Sequence, residues 1–260
     1  MLVVLSPAKS LDFETPFRVK QATQPQFVKQ ASVLMKLLRQ YDVPELSQLM
    51  HISDKLAHLN VARNLEWKPV FDEATAKPAI LAFDGDVYLG FDAKTLSARE
   101  LERAQKVVRT LSGLYGILRP LDLMRAYRLE MGTALANPKG KDLYTFWGDS
   151  LTNHLNNELD EHKVPVLINL ASDEYFKAVP VKALRHPVIQ PVFQEGKNGS
   201  YKIVSFFAKR ARGVMARFIV QQKIEKPELL KGFTEDGYRF LTEKNGKNGV
   251  KQWIFVRESV

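Results

Sequence analysis

Cysteine is absent from the 260-residue chain. That excludes a disulfide framework, a zinc ribbon, an iron–sulfur cluster, a thiol nucleophile and a redox-sensing thiolate, so any chemistry rests on oxygen and nitrogen groups. Long hydrophobic runs are missing too. Stretches such as Leu2 to Leu5 and Ile80 to Phe83 fall far short of the roughly 18 residues that a membrane span needs. The N-terminus lacks the basic start and long apolar stretch of a signal peptide, and its short run reads as a β-strand. A cytoplasmic protein without a membrane partner is expected. No Gly/Ser linker, long polar tract or fixed-period repeat divides the chain, which predicts a single domain over 1–260. A P-loop, a Rossmann glycine fingerprint and a His-Glu-x-x-His motif are all missing, so neither cofactor nor metal is expected. His154, Glu158 and His162 share a helix face, but Asn156, Asn157, Asp160 and Glu161 around them describe an exposed helix rather than a metal centre.

With 45% apolar and 26% charged residues, the chain can bury a substantial core. Apolar returns at three and four residues predict helices over Pro25–Gln40, Pro44–His51, Ser53–Leu65, Ser97–Leu111, Asp149–His162 and Phe207–Ile224; Ser97 and Glu100 form a capping box. Short β-branched and aromatic runs predict strands over Leu2–Leu5, Ala79–Phe83, Val166–Leu170, Val188–Phe193, Lys202–Phe206 and Gln252–Val256. Asn198-Gly199, Asn245-Gly246 and Asn248-Gly249 are hairpin turn signals. The expected fold class is α+β, a compact mixed β-sheet flanked by helices.

Thirty-eight Lys and Arg against 29 Asp and Glu give a net charge of +9, which points to an anionic partner, nucleic acid first. The surplus concentrates between Glu195 and Glu225, where no acidic residue occurs and Lys197, Lys202, Lys209, Arg210, Arg212, Arg217 and Lys223 all fall. On a helical wheel the last five share one side, with Phe207, Val214, Met215, Phe218 and Ile219 opposite. Such a helix can sit on its apolar face and turn a cationic stripe toward phosphates. It can equally be a solvated surface helix.

A second basic region is Ser112-Gly113-Leu114-Tyr115-Gly116-Ile117-Leu118-Arg119-Pro120, after a segment carrying Arg103, Lys106 and Arg109. Helix, glycine turn, helix is one reading, similar to a helix–hairpin–helix element whose exposed backbone N–H groups meet a phosphate. The usual hairpin has one residue between its glycines, whereas Leu114 and Tyr115 separate Gly113 from Gly116. A plain helix connection with a glycine C-cap fits as well. Tyr127, Arg128 and Trp147 could stack on bases, or form an aromatic core with one paired Arg.

Polar clusters follow three of the expected strands: Ser6-Pro7-Ala8-Lys9-Ser10, Asp84-Gly85-Asp86-Val87-Tyr88 and Ala171-Ser172-Asp173-Glu174-Tyr175. If those strands are parallel neighbours, Lys9, Asp86, Tyr88 and Glu174 meet at one carboxyl edge of the sheet, where ligand sites of α/β folds form. A base, an acid and an anion-binding cation would then share a pocket, as in an enzyme acting on a nucleic acid or phosphorylated substrate. Taken singly, each cluster is ordinary turn and cap chemistry.

Together these segments, with Ile52-Ser53-Asp54-Lys55-Leu56-Ala57, Phe146-Trp147-Gly148-Asp149 and Ala208 to Ile219, resemble the peroxide-stress protein YaaA family nearly end to end. The resemblance implies a cytoplasmic bacterial protein of the hydrogen peroxide response that limits iron-linked damage and takes part in DNA repair. It further implies DNA binding through a basic cleft and a helix–hairpin–helix element on a mixed α and β fold. Carried over, Gly113, Tyr115, Gly116 and Arg119 would form the hairpin contact, and Lys209, Arg210, Arg212 and Arg217 the basic segment. The resemblance transfers no catalytic residue.

Overall fold

The computed structural model describes residues 1–19, 21–197 and 199–258. The chain opens with β1 (Leu2–Leu5) and the short β2 (Ser10–Leu11), then three helices, α1 (Val28–Leu38), α2 (Val43–Met50) and α3 (Asp54–Glu66). Next come β3 (Lys77–Pro78), α4 (Ala79–Ala82), β4 (Phe83–Asp84), α5 (Asp86–Phe91) and α6 (Ala98–Val107). Strands β5 (Val108–Ser112), β6 (Gly116–Leu118) and β7 (Leu123–Met124) precede α7 (Leu143–Trp147), α8 (Ser150–Asp160), β8 (Leu167–Leu170) and α9 (Asp173–Phe176). The last part holds β9 (Val188–Lys197), β10 (Ser200–Lys202), α10 (Ser205–Gln221), β11 (Arg239–Asn245) and β12 (Lys251–Glu258).

The main sheet runs β11-β12-β9-β8-β1-β5-β6, with β10 paired to the far end of β9. Its centre is parallel, and β11, β6 and β10 join antiparallel. The α+β mixed sheet is therefore as expected. Every residue of β1 is fully buried, which is why its sequence is an unbroken apolar run rather than an alternating one. At the outer edge, β11 carries a bulge between Phe240 and Thr242.

Several boundaries depart from expectation. Ala79–Ala82 is one buried helical turn, not a strand; a four-residue apolar run has no periodicity to separate the two. The helix from Ser97 starts with its capping box intact but ends at Val107, and Val108–Ser112 becomes a central strand beside β1. Val107, Val108 and Thr110 are β-branched and lose little in an extended chain. Lys202–Phe206 splits between β10 and the first turn of α10. Of the Asn198-Gly199 turn, Asn198 lies outside the described residues, and Gly199 holds the positive φ of 75° that the turn needs.

Ser112 to Leu118 forms a β-hairpin, not a helix–hairpin–helix element. Ser112 pairs with Gly116, and Thr110 with Leu118. Both glycines serve close packing. A Cβ on Gly113 would stand 2.3 Å from the Leu129 carbonyl oxygen, and one on Gly116 would stand 2.8 Å from the Trp147 ring. Tyr115 is fully buried; its hydroxyl accepts the Trp67 indole N–H at 2.8 Å. No phosphate can reach these backbone groups.

The helix that positions the site is α10, which crosses α5 with backbone close to backbone at Gly90 and Gly213. A Cβ on Gly213 would fall 1.8 Å from the Val87 carbonyl oxygen, and one on Gly90 would fall 2.3 Å from that of Arg210. The added methyl of Gly213→Ala must push the helices apart, at a cost of about 3 kcal/mol. Gly232→Ala, with nothing within 4 Å of the new Cβ, should change stability by less than about 0.5 kcal/mol. Equal urea midpoints for the two variants would refute the tight crossing.

Candidate phosphate-binding cleft at the strand ends

Strands β1 and β8 are parallel neighbours, with Leu5 opposite Leu170, so the segments after them leave the sheet side by side. The third cluster arrives differently from the sequence expectation: β4 pairs antiparallel with β2, Ser10 against Asp84, which swings Asp84-Gly85-Asp86 over Lys9. Lys9, Asp86, Tyr88 and Glu174 thus line one cavity of about 390 Å³, and Lys209 and Arg212 enter it from α10.

The floor is a hydroxyl network. Ser6 Oγ donates to Ser172 Oγ at 3.2 Å and accepts the Ser172 N–H at 2.8 Å. The Tyr88 hydroxyl donates to the Ser6 carbonyl oxygen at 3.1 Å and lies 3.1 Å from Thr110 Oγ1. Burial raises the Tyr88 pKa far above the usual phenol range, so the group stays neutral and works as a hydrogen-bonding strut. On one wall, Glu174 Oε1 accepts the Gly132 N–H at 3.0 Å. Lys9 Nζ is 3.4 Å from Glu130, which also accepts from Arg128 at 2.9 Å.

Arg212 is placed differently from Arg119, Arg210 and Arg217. Half-buried at the cavity wall, it makes no hydrogen bond or ion pair to any described residue. Burial lowers its pKa, and the Asp173 charge opposes that shift only from a distance. A desolvated guanidinium without a partner is costly, and an anion in the cavity would supply the missing partner. Lys209, exposed on the same helix face, and Asp86 also lack an ion-pair partner among the described residues.

The other cations expected to touch DNA are engaged within the chain. Arg217 donates to the carbonyl oxygens of Phe91 and Asp92 at 2.9 and 2.7 Å, closing the C-terminal end of α5. Arg210 lies 3.3 Å from Asp236. Arg119 donates through Nε and Nη2 to the fully buried Asp122 carboxylate, at 3.0 and 2.8 Å. Tyr127 and Trp147 are core residues, bonded to Ser112 and to the Gly113 carbonyl. Sequence reasoning passed over Ser6, Ser172 and Asp84 as site residues, although all three stand in the polar segments it singled out.

The His154–Glu158 helix face has a structural job. Arg109, from β5, donates to both Glu158 oxygens at 2.8 to 3.1 Å, tying α8 to the sheet.

A mixed sheet with a cleft at its strand ends that carries both cations and carboxylates defines the α+β class of this protein. The profile of the family described as peroxide stress protein YaaA matches residues 1–244, and the chain belongs to that family. A UPF0246 protein of Paraburkholderia phytofirmans is 57% identical over 262 residues, covering the whole of both chains. One from Tolumonas auensis is 55% identical over 248 residues, 95% of each, and one from Janthinobacterium is 52% identical over 258 residues, 99% of each.

Burial works to raise the Glu158 pKa, but Arg109 and His154, the latter 3.6 Å away, outweigh it and lower the value to about 2. A depressed carboxylate pKa contributes stability above its unfolded value and loses it as pH falls toward the folded one. Acid unfolding of the native protein should therefore steepen between about pH 4.5 and pH 2. Glu158→Gln should be less stable at neutral pH and flatter across that window. Parallel stability curves for the two proteins would rule the bridge out.

Proposed function

We propose that this protein binds DNA in the response to hydrogen peroxide, seating neighbouring backbone phosphates in and beside the strand-end cleft, one to each cation, and so protects DNA against oxidative, iron-linked damage. The observation that carries this reading is the unpartnered Arg212 at the cleft wall beside Lys209, with Lys9 opposite. All three read charge and backbone rather than base identity, so binding should depend on shape and be indifferent to sequence. The family's link to peroxide stress supplies the setting. Contacts by the Gly113 to Gly116 backbone, Arg119 and Arg217 form no part of the proposal, because each of these groups is packed or bonded internally.

A second reading keeps the same cleft and adds chemistry on the nucleic acid or another phosphorylated substrate. The carboxylates of Asp86 and Glu174 favour it, since a groove built only to hold phosphate gains nothing from negative charge. Asp86→Asn separates the two. Binding alone predicts tighter DNA association, whereas a proton-transfer role predicts loss of turnover with binding retained.

Three cations on phosphate predict that log K falls with log salt at a slope of about −2.7, at 0.9 per contact. Lys209→Ala combined with Arg212→Ala should flatten that slope by about two units, measured by fluorescence anisotropy on a duplex at several salt concentrations. Arg217→Ala should lower thermal stability and leave the slope in place. An unchanged slope in the double variant would remove the cleft from DNA binding.

A further inference from the structure

Beyond the turn Ser172–Glu174 lies a larger open cleft of about 910 Å³ that the proposed phosphate site does not use. Ser172 and Glu174 face the first cavity and Asp173 the second, so one short segment is the wall between them. The floor of the second cleft is a row of side-chain amides on three adjacent parallel strands. Asn169 lies near the end of β8, Gln190 lies on the adjacent β9, and Gln252 is the register partner of Gln190 on β12.

The hydrogen bonds fix which amide atoms remain free. Asn169 is only 2% exposed, and its Oδ1 accepts the Ala171 N–H at 2.9 Å. Its amide NH₂ therefore points the other way and finds no partner among the described residues. Gln252 Nε2 donates to Gln190 Oε1 at 3.1 Å, which leaves the Gln190 NH₂ and the Gln252 carbonyl oxygen unused. These unused amide atoms border the open cleft, where water or a ligand can complete their hydrogen bonding. The floor thus offers two amide donors and one acceptor in a line, between a wall of Phe176, Val179 and Pro180 and a roof formed by the 245–248 turn.

We propose that this cleft is a nucleobase site. A flat heterocycle carries acceptors and donors along one edge, the pattern that Asn and Gln amides match, and its faces pack against aromatic and aliphatic walls. The volume lies within the usual range for small-ligand clefts. An unpaired base of a nucleic acid strand and the base of a free nucleotide share this chemistry. The site stands without the phosphate reading, because base recognition here uses none of Lys9, Lys209 or Arg212.

The test is titration of the intact protein with each common nucleoside, which has no phosphate, followed through the side-chain amide NMR signals. The Asn169 and Gln190 NH₂ resonances should shift and saturate at millimolar nucleoside, and Gln190→Ala should weaken binding about tenfold, the loss of about one hydrogen bond's worth of affinity. If Gln190→Ala fails to fold, the wild-type shifts decide alone. A short single-stranded oligonucleotide binding much tighter than its nucleoside assigns the site to unpaired bases in a strand; similar affinities assign it to a free nucleotide. No shift of those amide signals with any nucleoside up to about 10 mM, where even weak sites fill, overturns the proposal, whether or not the protein binds duplex DNA.

Discussion

Everything at the strand ends depends on how closely α5 and α10 cross. Two glycines, Gly90 and Gly213, let backbone meet backbone, and that contact sets where Asp86 and Tyr88 stand relative to Lys209 and Arg212. A side chain at either glycine would hold the helices apart and move both pairs of groups together. Arg217 reinforces the arrangement from α10 by closing the far end of α5 on the Phe91 and Asp92 carbonyl oxygens. One helix therefore supplies two of the three cations of the cleft and also fastens the helix that faces them.

The positive surplus divides according to partners. Arg109, Arg119 and Arg257 are paired with Glu158, Asp122 and Glu195; the first and last of these bridges link elements distant in sequence, and the second braces a single loop. Such cations add to net charge without offering anything to an external anion. What remains at the cleft is small in number, and of these cations only the half-buried Arg212 sits where a lower surrounding dielectric strengthens its pull. Local placement, more than the total of +9, decides where an anion would settle.

Much of this was legible in the sequence, for identifiable reasons. The Leu2 to Leu5 run announced a strand, which the structure buries on both faces, and Ser97 with Glu100 marked a helix start that the structure keeps. The strand-end polar clusters pointed to a shared cavity, although Asp86 reaches it through the β2–β4 pairing and not from a third parallel strand. The hairpin was misjudged because glycines spaced for a turn look the same whether the flanking segments are helical or extended; Trp147 and Leu129, from elsewhere in the chain, decide it. The helical wheel likewise grouped Arg210 and Arg217 with Lys209 and Arg212. Their separation comes from Asp236 and from the end of α5, partners no local pattern reveals.

The bulge in β11 has a consequence for association between copies of the chain. A sheet that ends on a straight, apolar strand offers its unpaired N–H and C=O groups as a template for another strand. Here the outermost strand carries Arg239, Glu243 and Lys244 and is twisted out of register between Phe240 and Thr242. A bulge spoils the even spacing that a docking strand would need. Edge-to-edge growth of the sheet is thereby disfavoured at β11, by geometry as well as by charge.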